Sequence, residues 1–117
     1  MKTIKKGIDK METLRYPHFY KVGGQRVEVR DVERCESNSV GECNLCAGYI
    51  EIAEHFNKDD KQSEDSKRNT FYHELVHSIL STMGKKELNA DEEFVSTFSS
   101  FLSEALENAV FIEYESI

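Results

Sequence analysis

The chain has 117 residues, of which 38% are apolar and 32% are charged, and its formal net charge is −7. This length predicts one domain, spanning residues 1–117, with a single modest core. The acidic charge argues against a nucleic-acid partner, because such affinity comes mainly from Lys and Arg side chains that neutralise phosphates.

The start of the chain and the number of cysteines bear on location. Residues 1–10 lack the apolar run of a signal peptide, and no stretch approaches the roughly 18 apolar residues that cross a membrane. The cysteine count is 3, and an odd number is more typical of a reducing compartment than of a disulfide scaffold. We therefore expect a cytoplasmic protein with no membrane partner.

The first half of the chain predicts a small antiparallel sheet of about three strands. Residues 1–17 are weakly patterned and could form an arm or a short helix. Two runs within Phe19–Val29 flank a Gly-Gly pair at residues 23–24, which is a hairpin signal. Residues 31–42 are polar and without a period, as expected of a loop, and Tyr49–Ile52 is the third strand candidate.

The segment Phe71–Met83 predicts an amphipathic helix, because its apolar residues fall on one arc at about 100° per residue. Those residues are Tyr72, Leu75, Val76, Ile79, Leu80 and Met83. Gly84 predicts the C-terminal end of the helix, and either Ser63 or Ser66 its N-terminal cap. The polar stretch from residue 57 to residue 69 is expected to join the sheet to this helix and to form its first turns.

His73, Glu74 and His77 form the pattern His-Glu-x-x-His within the predicted helix. Residues four apart lie on the same face of a helix, about 6 Å apart, so both imidazoles can reach one ion. This pattern is typical of metallopeptidases, in which the two histidines bind Zn²⁺. We therefore predict a zinc site here, although iron, manganese, cobalt or nickel would also suit such ligands.

A second helix is predicted from residue 94 to residue 110, after a short polar connection. Its apolar stripe comprises Phe94, Val95, Phe98, Phe101, Leu102, Ala105, Leu106 and Ala109. Asn89 or Asp91 would cap its start. The tail from residue 111 to residue 117 could finish this helix or add a strand.

A catalytic zinc site usually has three protein ligands, so a third is needed. No histidine or cysteine follows His77, which leaves four carboxylates as candidates: Glu87, Asp91, Glu92 and Glu93. If the apolar stripe faces the motif helix, Glu92 lies at the edge of the stripe, whereas Glu93 lies close to the opposite side. The short side chain of Asp91 fits a cap better. Glu92 is therefore the predicted third ligand.

The motif His73–His77, followed by a helix that begins Asp91-Glu92-Glu93, resembles the small zinc metallopeptidase-like proteins of phages and prophages, related to the ImmA/IrrE group of gluzincins. The resemblance implies an α+β fold with a small sheet, a motif helix and a ligand-bearing helix. It also implies His73, His77 and Glu92 as zinc ligands and Glu74 as the general base that activates a zinc-bound water for peptide hydrolysis.

The chain departs from that family in ways that bear on activity. Peptide hydrolysis in such families normally uses a His, Tyr or Arg to stabilise the oxyanion, and neither histidine nor arginine follows Glu92. The remaining candidates are Tyr114, Tyr20, His55 and Tyr72. Two function classes therefore stay open: a peptidase that acts on a protein or peptide substrate, and a non-catalytic, metal-stabilised module that binds a protein partner.

Two further hypotheses rest on local patterns. Cys43-x-x-Cys46, with Cys35 upstream and His55 downstream, could form a separate structural zinc site, although free thiols are the commoner outcome of a single Cys-x-x-Cys pair. An edge strand, with Tyr49–Ile52 as the candidate, could hold an extended peptide by strand addition. The substrate and the oligomeric state are not readable from the sequence.

Overall fold

A computed structural model describes residues 16–112 of the chain. Its strands are β1 (Phe19–Val22), β2 (Gln25–Val32), β3 (Gly41–Asn44) and β4 (Tyr49–Ala53). Its helices are α1 (Glu64–Met83), α2 (Lys86–Ala90) and α3 (Glu92–Glu107). The predicted α+β class is confirmed. Most of the predicted arm and the last residues of the tail lie outside the described residues.

The sheet has four strands in the order β1-β2-β4-β3, one more than predicted. β1 and β2 form the predicted hairpin, whose turn glycines Gly23 and Gly24 have φ angles of 58° and 81°. Both positive angles suit the tight hairpin turn that a Gly-Gly pair favours. β3 and β4 form a second antiparallel pair, with Gly41 opposite Ile52.

The prediction of an antiparallel sheet is wrong for one pair, because β2 and β4 are parallel, with Val29 opposite Ile50. Residues 33–48 form the crossover that a parallel pair requires, and β3 lies within it. Ile50 and Ile52 are fully buried, which suits the interior position of β4. Tyr49–Ile52 is therefore not an edge strand, and the edges are β1 and β3.

The predicted loop over residues 31–42 is also wrong at both ends. β2 continues to Val32, and β3 begins at Gly41. The sequence of β3, GECN, has no alternation of apolar and polar residues. It does not need one, because β3 is an edge strand whose residues are mostly half-buried. Such a short polar strand gives no periodic signal.

The core lies between the sheet and α1. It contains Val27, Val29, Ile50, Ile52, Phe71 and Tyr72. These residues come from the alternating inward positions of β2 and β4 and from one face of α1, as period-2 and period-3.6 patterns require. Within residues 16–112, no helix is long and apolar enough to cross a membrane.

α1 contains the predicted helix and begins seven residues before Phe71, at Glu64. Of the two predicted caps, Ser63 is confirmed, because its side chain accepts a hydrogen bond from the backbone N–H of Ser66. Gly84 ends the helix with a φ of 74°, as predicted. The polar residues before the motif do form the first turns of this helix.

α3 begins at the predicted cap Asp91, whose side chain accepts a hydrogen bond from the backbone N–H of Phe94. The helix turns its apolar stripe only partly towards α1, which differs from the prediction. Val95 is fully buried, but 47% of Phe98 and 66% of Phe101 are exposed. Small polar residues, Ser99 and Ser103, are buried instead and leave α3 room to approach α1.

Candidate metal centre

α1 places His73 and His77 one turn apart on the face that looks towards α3. Their ring centroids are 4.9 Å apart and the ring planes are inclined by 67°. Both rings are partly buried, with side-chain exposures of 28% and 18%. The helix that the apolar pattern predicts therefore presents both imidazoles to the same space.

Glu92, the first residue of α3, faces both histidines. One carboxylate oxygen lies 3.1 Å from Nε2 of His73, and the other lies 3.2 Å from Nε2 of His77. Ligand atoms of the three residues all lie within 4.8 Å of one another. Two imidazole nitrogens and a carboxylate oxygen are the donor set of many zinc sites, so these residues fit the ion.

The other candidate third ligands lie elsewhere. Asp91 caps α3, as predicted from its short side chain. Glu87 and Glu93 are exposed and belong to no group of potential ligands in the described part of the chain. Of the four carboxylates, the structure brings only Glu92 to the histidines, and its role as a ligand stays a prediction.

Hydrogen bonding makes a cation at this position chemically reasonable. The side-chain oxygen of Asn89 lies 2.6 Å from Nδ1 of His77, and an amide oxygen only accepts hydrogen bonds. A neutral ring that donates to Asn89 carries its proton on Nδ1, and its Nε2 then presents a lone pair. That lone pair faces an oxygen of Glu92, which is also an acceptor. A proton or a metal ion is needed to make this contact favourable.

The protonation of His73 points the same way. Burial lowers the pKa of His73 below its ordinary value, and the neighbouring His77 lowers it further, while Glu92 opposes the shift. The neutral ring that results is the form that binds a metal ion.

Glu74 is buried, with 8% of its surface exposed, and lies beside the histidines. Burial raises the pKa of Glu74 to about 7, and the charges of Glu92 and Glu42 add to that rise, whereas His77 opposes it. A carboxyl group with a pKa near neutrality can both accept and return a proton. Glu74 therefore has the chemistry of a general base.

The candidate ligands line a cleft of about 580 Å³, which we call the helix cleft. Its other walls are Ser39, Val40, Gly41, Gln62, Ser66, Asn69, Thr70, Ser96, Ser99 and Ser100. A Cβ atom on Gly41 would lie 2.5 Å from the methyl carbon of Thr70 and 3.0 Å from a carboxylate oxygen of Glu74. The edge of the sheet thus comes into direct contact with α1 at the motif because residue 41 has no side chain.

Three of the four predicted oxyanion-stabilising residues lie in the described part of the chain, and none of these three lines this cleft. The hydroxyl of Tyr20 is bonded to Ser78, and that of Tyr72 donates to Glu107. His55 lines a different cleft. Tyr114 lies outside the described residues. None of the first three is therefore placed to act at the candidate metal centre.

Sequence reasoning missed two features of the site. Asn89 was considered only as a helix cap, yet its side chain bonds to His77. Asn69 lines the cleft one turn before His73, and its side-chain oxygen accepts a hydrogen bond from Ser103. The signal that could have found Asn69 is its spacing, because residues 69, 73 and 77 share one helix face.

The three cysteines and His55 do not form a second zinc site. Cys35 is buried with its sulfur near the carboxylates of Glu42 and Glu51, and it forms no ligand group with the other cysteines or with His55. Cys43 is half-buried in β3, and Cys46 is exposed. All three are free thiols in the structure.

No known protein helps to interpret the helix cleft. The chain matches no family model, no curated protein and no solved structure.

Proposed function

We propose that this chain is a zinc-dependent metallopeptidase-like protein, cytoplasmic and related to the ImmA/IrrE group. His73, His77 and Glu92 would hold the ion. The observation that carries the proposal is the convergence of two Nε2 atoms on the two oxygens of one carboxylate, at 3.1 and 3.2 Å. For His77 this contact joins two acceptors, which a divalent cation would stabilise.

Zinc, when bound, supplies Lewis acidity that lowers the pKa of water and polarises a carbonyl group. The chain itself supplies the proton transfers. Glu74, with a pKa of about 7, accepts the proton of the attacking water and returns it to the leaving amine. The position of Glu74 supports this role, because the buried carboxylate lines the same cleft as the candidate ligands.

The cleft also suits an extended peptide. β3 is an edge strand, and its first residue, Gly41, forms part of the cleft wall. An extended chain could add to the free edge of β3 through backbone hydrogen bonds and so lie beside the candidate metal centre. β3 thus takes the place that the sequence analysis gave to Tyr49–Ile52.

Asn69 is the candidate for stabilising the oxyanion. It is exposed in the cleft, and its side-chain oxygen is occupied by Ser103 at 3.1 Å, so its NH₂ group is available to a ligand. Side-chain amides serve as oxyanion donors in other hydrolases.

A second function is favoured by specific observations. None of the Tyr, His or Arg residues in the described part of the chain lines the helix cleft, apart from the candidate ligands themselves. In addition, Phe98 and Phe101 form an exposed apolar surface on α3. Both features suit a non-catalytic module in which the metal stabilises a surface that binds a protein partner.

The test combines metal content with peptide cleavage. Wild type, Glu74→Gln and the control Glu93→Gln are purified, analysed for zinc by mass spectrometry, and incubated with a library of internally quenched peptides. We expect one zinc per chain in all three, and a loss of cleavage of about 10²- to 10⁴-fold in Glu74→Gln only.

Three results would each contradict part of this proposal. Cleavage by Glu74→Gln at the wild-type rate would remove Glu74 from the mechanism. Zinc-loaded wild type that cleaves no peptide in the library would favour the binding module. A wild type that binds no zinc after reconstitution would overturn both functions.

A further inference from the structure

The short helix α2 has no buried residue, and Asn89 is its one half-buried side chain. We propose that Asn89 is a positioning residue, which fixes the tautomer and the orientation of His77 so that Nε2 faces the metal ion. The inference rests on the proposed metal site and concerns a residue that is not itself a ligand.

The side-chain oxygen of Asn89 can only accept a hydrogen bond, whereas the neutral ring of His77 has two tautomers. The side-chain oxygen of Asn89 lies 2.6 Å from Nδ1 of His77. A neutral imidazole without such a partner carries its proton on either nitrogen, and a ring protonated on Nε2 cannot bind an ion through that atom. Asn89 selects the competent tautomer before the ion arrives.

Asn89 and Glu92 approach the same ring from opposite nitrogens. Asn89 contacts Nδ1 at 2.6 Å, and Glu92 lies 3.2 Å from Nε2. Between them the chain changes direction at Asp91, which ends α2 and caps α3. The α2–α3 junction therefore determines both the ring position and the ligand that shares the ion with it.

A purely structural role for Asn89 makes a different prediction. α2 adds no buried side chain to the core, and Leu88, its one large apolar residue, is 39% exposed. Loss of the Asn89 side chain should therefore leave folding nearly unchanged. An effect on His77 and on metal affinity would come from the hydrogen bond itself.

The first measurement needs no metal. The tautomer of His77 is read from imidazole ¹⁵N chemical shifts of the metal-free protein at a pH of about 8, where histidines are mostly neutral. We expect the Nδ1–H form in wild type and in Asn89→Asp, whose carboxylate is also an acceptor. Asn89→Ala should gain the Nε2–H form. Glu87→Ala, an exposed change in the same helix, is the matched control and should resemble wild type.

The second measurement is zinc affinity by chelator competition on the same four proteins. Loss of a hydrogen-bond partner of a ligating histidine typically weakens metal binding about 10- to 100-fold, which we expect for Asn89→Ala with one zinc still bound at saturation. Asn89→Asp and Glu87→Ala should bind at least as tightly as wild type.

The outcomes separate this inference from the proposed function. An unchanged tautomer or an unchanged zinc affinity in Asn89→Ala, with wild type binding one zinc, would overturn the role of Asn89 and leave the metal site intact. A wild type that binds no zinc would overturn both, and the ¹⁵N shifts would then show only whether Asn89 selects the tautomer. A melting curve of Asn89→Ala that matches that of Glu87→Ala verifies that both variants are folded.

Discussion

Two clefts in the described part of the chain have nearly equal volumes, about 580 and 590 Å³, but only the first is lined by every member of a group of potential metal ligands. The helix cleft takes its ligands from the ordered ends and faces of α1 and α3. The second, which we call the loop cleft, is lined by residues of two loops. They are Arg34, Cys35, Asn38, Ser39, His55, Phe56, Asn57 and Lys58.

Volume and residue type do not explain the difference, because the loop cleft also contains a histidine and a cysteine. In the loop cleft the guanidinium of Arg34 donates to the backbone carbonyls of Asn57 and Lys58, which fixes the loop. Nδ1 of His55 is buried with no hydrogen-bond partner in the described structure. Helical spacing brings the side chains together in the helix cleft. In the loop cleft, by contrast, the Arg34 side chain is used in hydrogen bonds to the loop backbone.

The largest effect is expected when a candidate ligand is removed from the helix cleft. We expect His77→Ala to lose stoichiometric zinc, whereas His55→Ala keeps it. Zinc at 100 times its dissociation constant stabilises a protein by about 2.7 kcal/mol. For a domain of this size that corresponds to a rise in Tm of roughly 10 °C, measured by calorimetry with zinc and with EDTA.

The rise in Tm should be absent from His77→Ala and present in His55→Ala. Glu92→Ala should behave like His77→Ala. Zinc stabilisation that survives in His77→Ala and disappears in His55→Ala would place the ion in the loop cleft and reverse the comparison.

A smaller effect is expected at the wall between sheet and helix. Gly41→Ala would place a Cβ atom 2.5 Å from the methyl carbon of Thr70, which is closer than such atoms approach without a shift. Overpacking of this kind typically costs about 1 to 3 kcal/mol, which urea denaturation of the variant measures.

Thr70→Ser provides a matched rescue for Gly41→Ala. It removes the methyl group and keeps the hydroxyl that donates to Gln62 and to the backbone carbonyl of Ser66. The double variant should recover part of the lost stability, although Glu74 remains near position 41. If Gly41→Ala is as stable as wild type, the edge of the sheet does not contact α1 as described.

The smallest effect concerns the thiols. Burial raises the pKa of Cys43 to about 12 and that of Cys35 to about 11, with nearby carboxylates adding to both shifts, so both stay protonated at pH 8. We expect Cys46 alone to react rapidly with a disulfide reagent, at a rate that zinc does not change. If zinc protects two or more thiols from the reagent, the cysteines bind zinc, contrary to their separation in the structure.

The helical half of the fold was readable because its signals are local. The apolar arc of α1, the cap Ser63 and the stop at Gly84 each depend on neighbours within one or two turns. The placement of Glu92 depended on a facing argument that was only half right. Val95 is fully buried against α1, whereas Phe98 lies at the edge of that contact and Phe101 is mostly exposed, because buried serines occupy the rest of the contact.

The sheet was less readable because pairing is not local. The alternation of Ile50 and Ile52 is the same whether β4 is an edge or an interior strand, and whether its partner is parallel or antiparallel. Asn89 escaped notice for a related reason. Its partner His77 is 12 residues away, and α2 has no apolar stripe from which the sequence could predict the helix or its orientation.

All three candidate ligands, Glu74 and Asn89 lie between residues 73 and 92, while residues 39–41, which lead into β3, form the cleft wall on the sheet side. The candidate ligands and the sheet side of the cleft are thus encoded in separate parts of the sequence. Changes in β3 could alter which molecules reach the centre while the donor set stays the same. A substitution in β3 that changes selectivity would therefore leave the ligands of the proposed metal site unchanged.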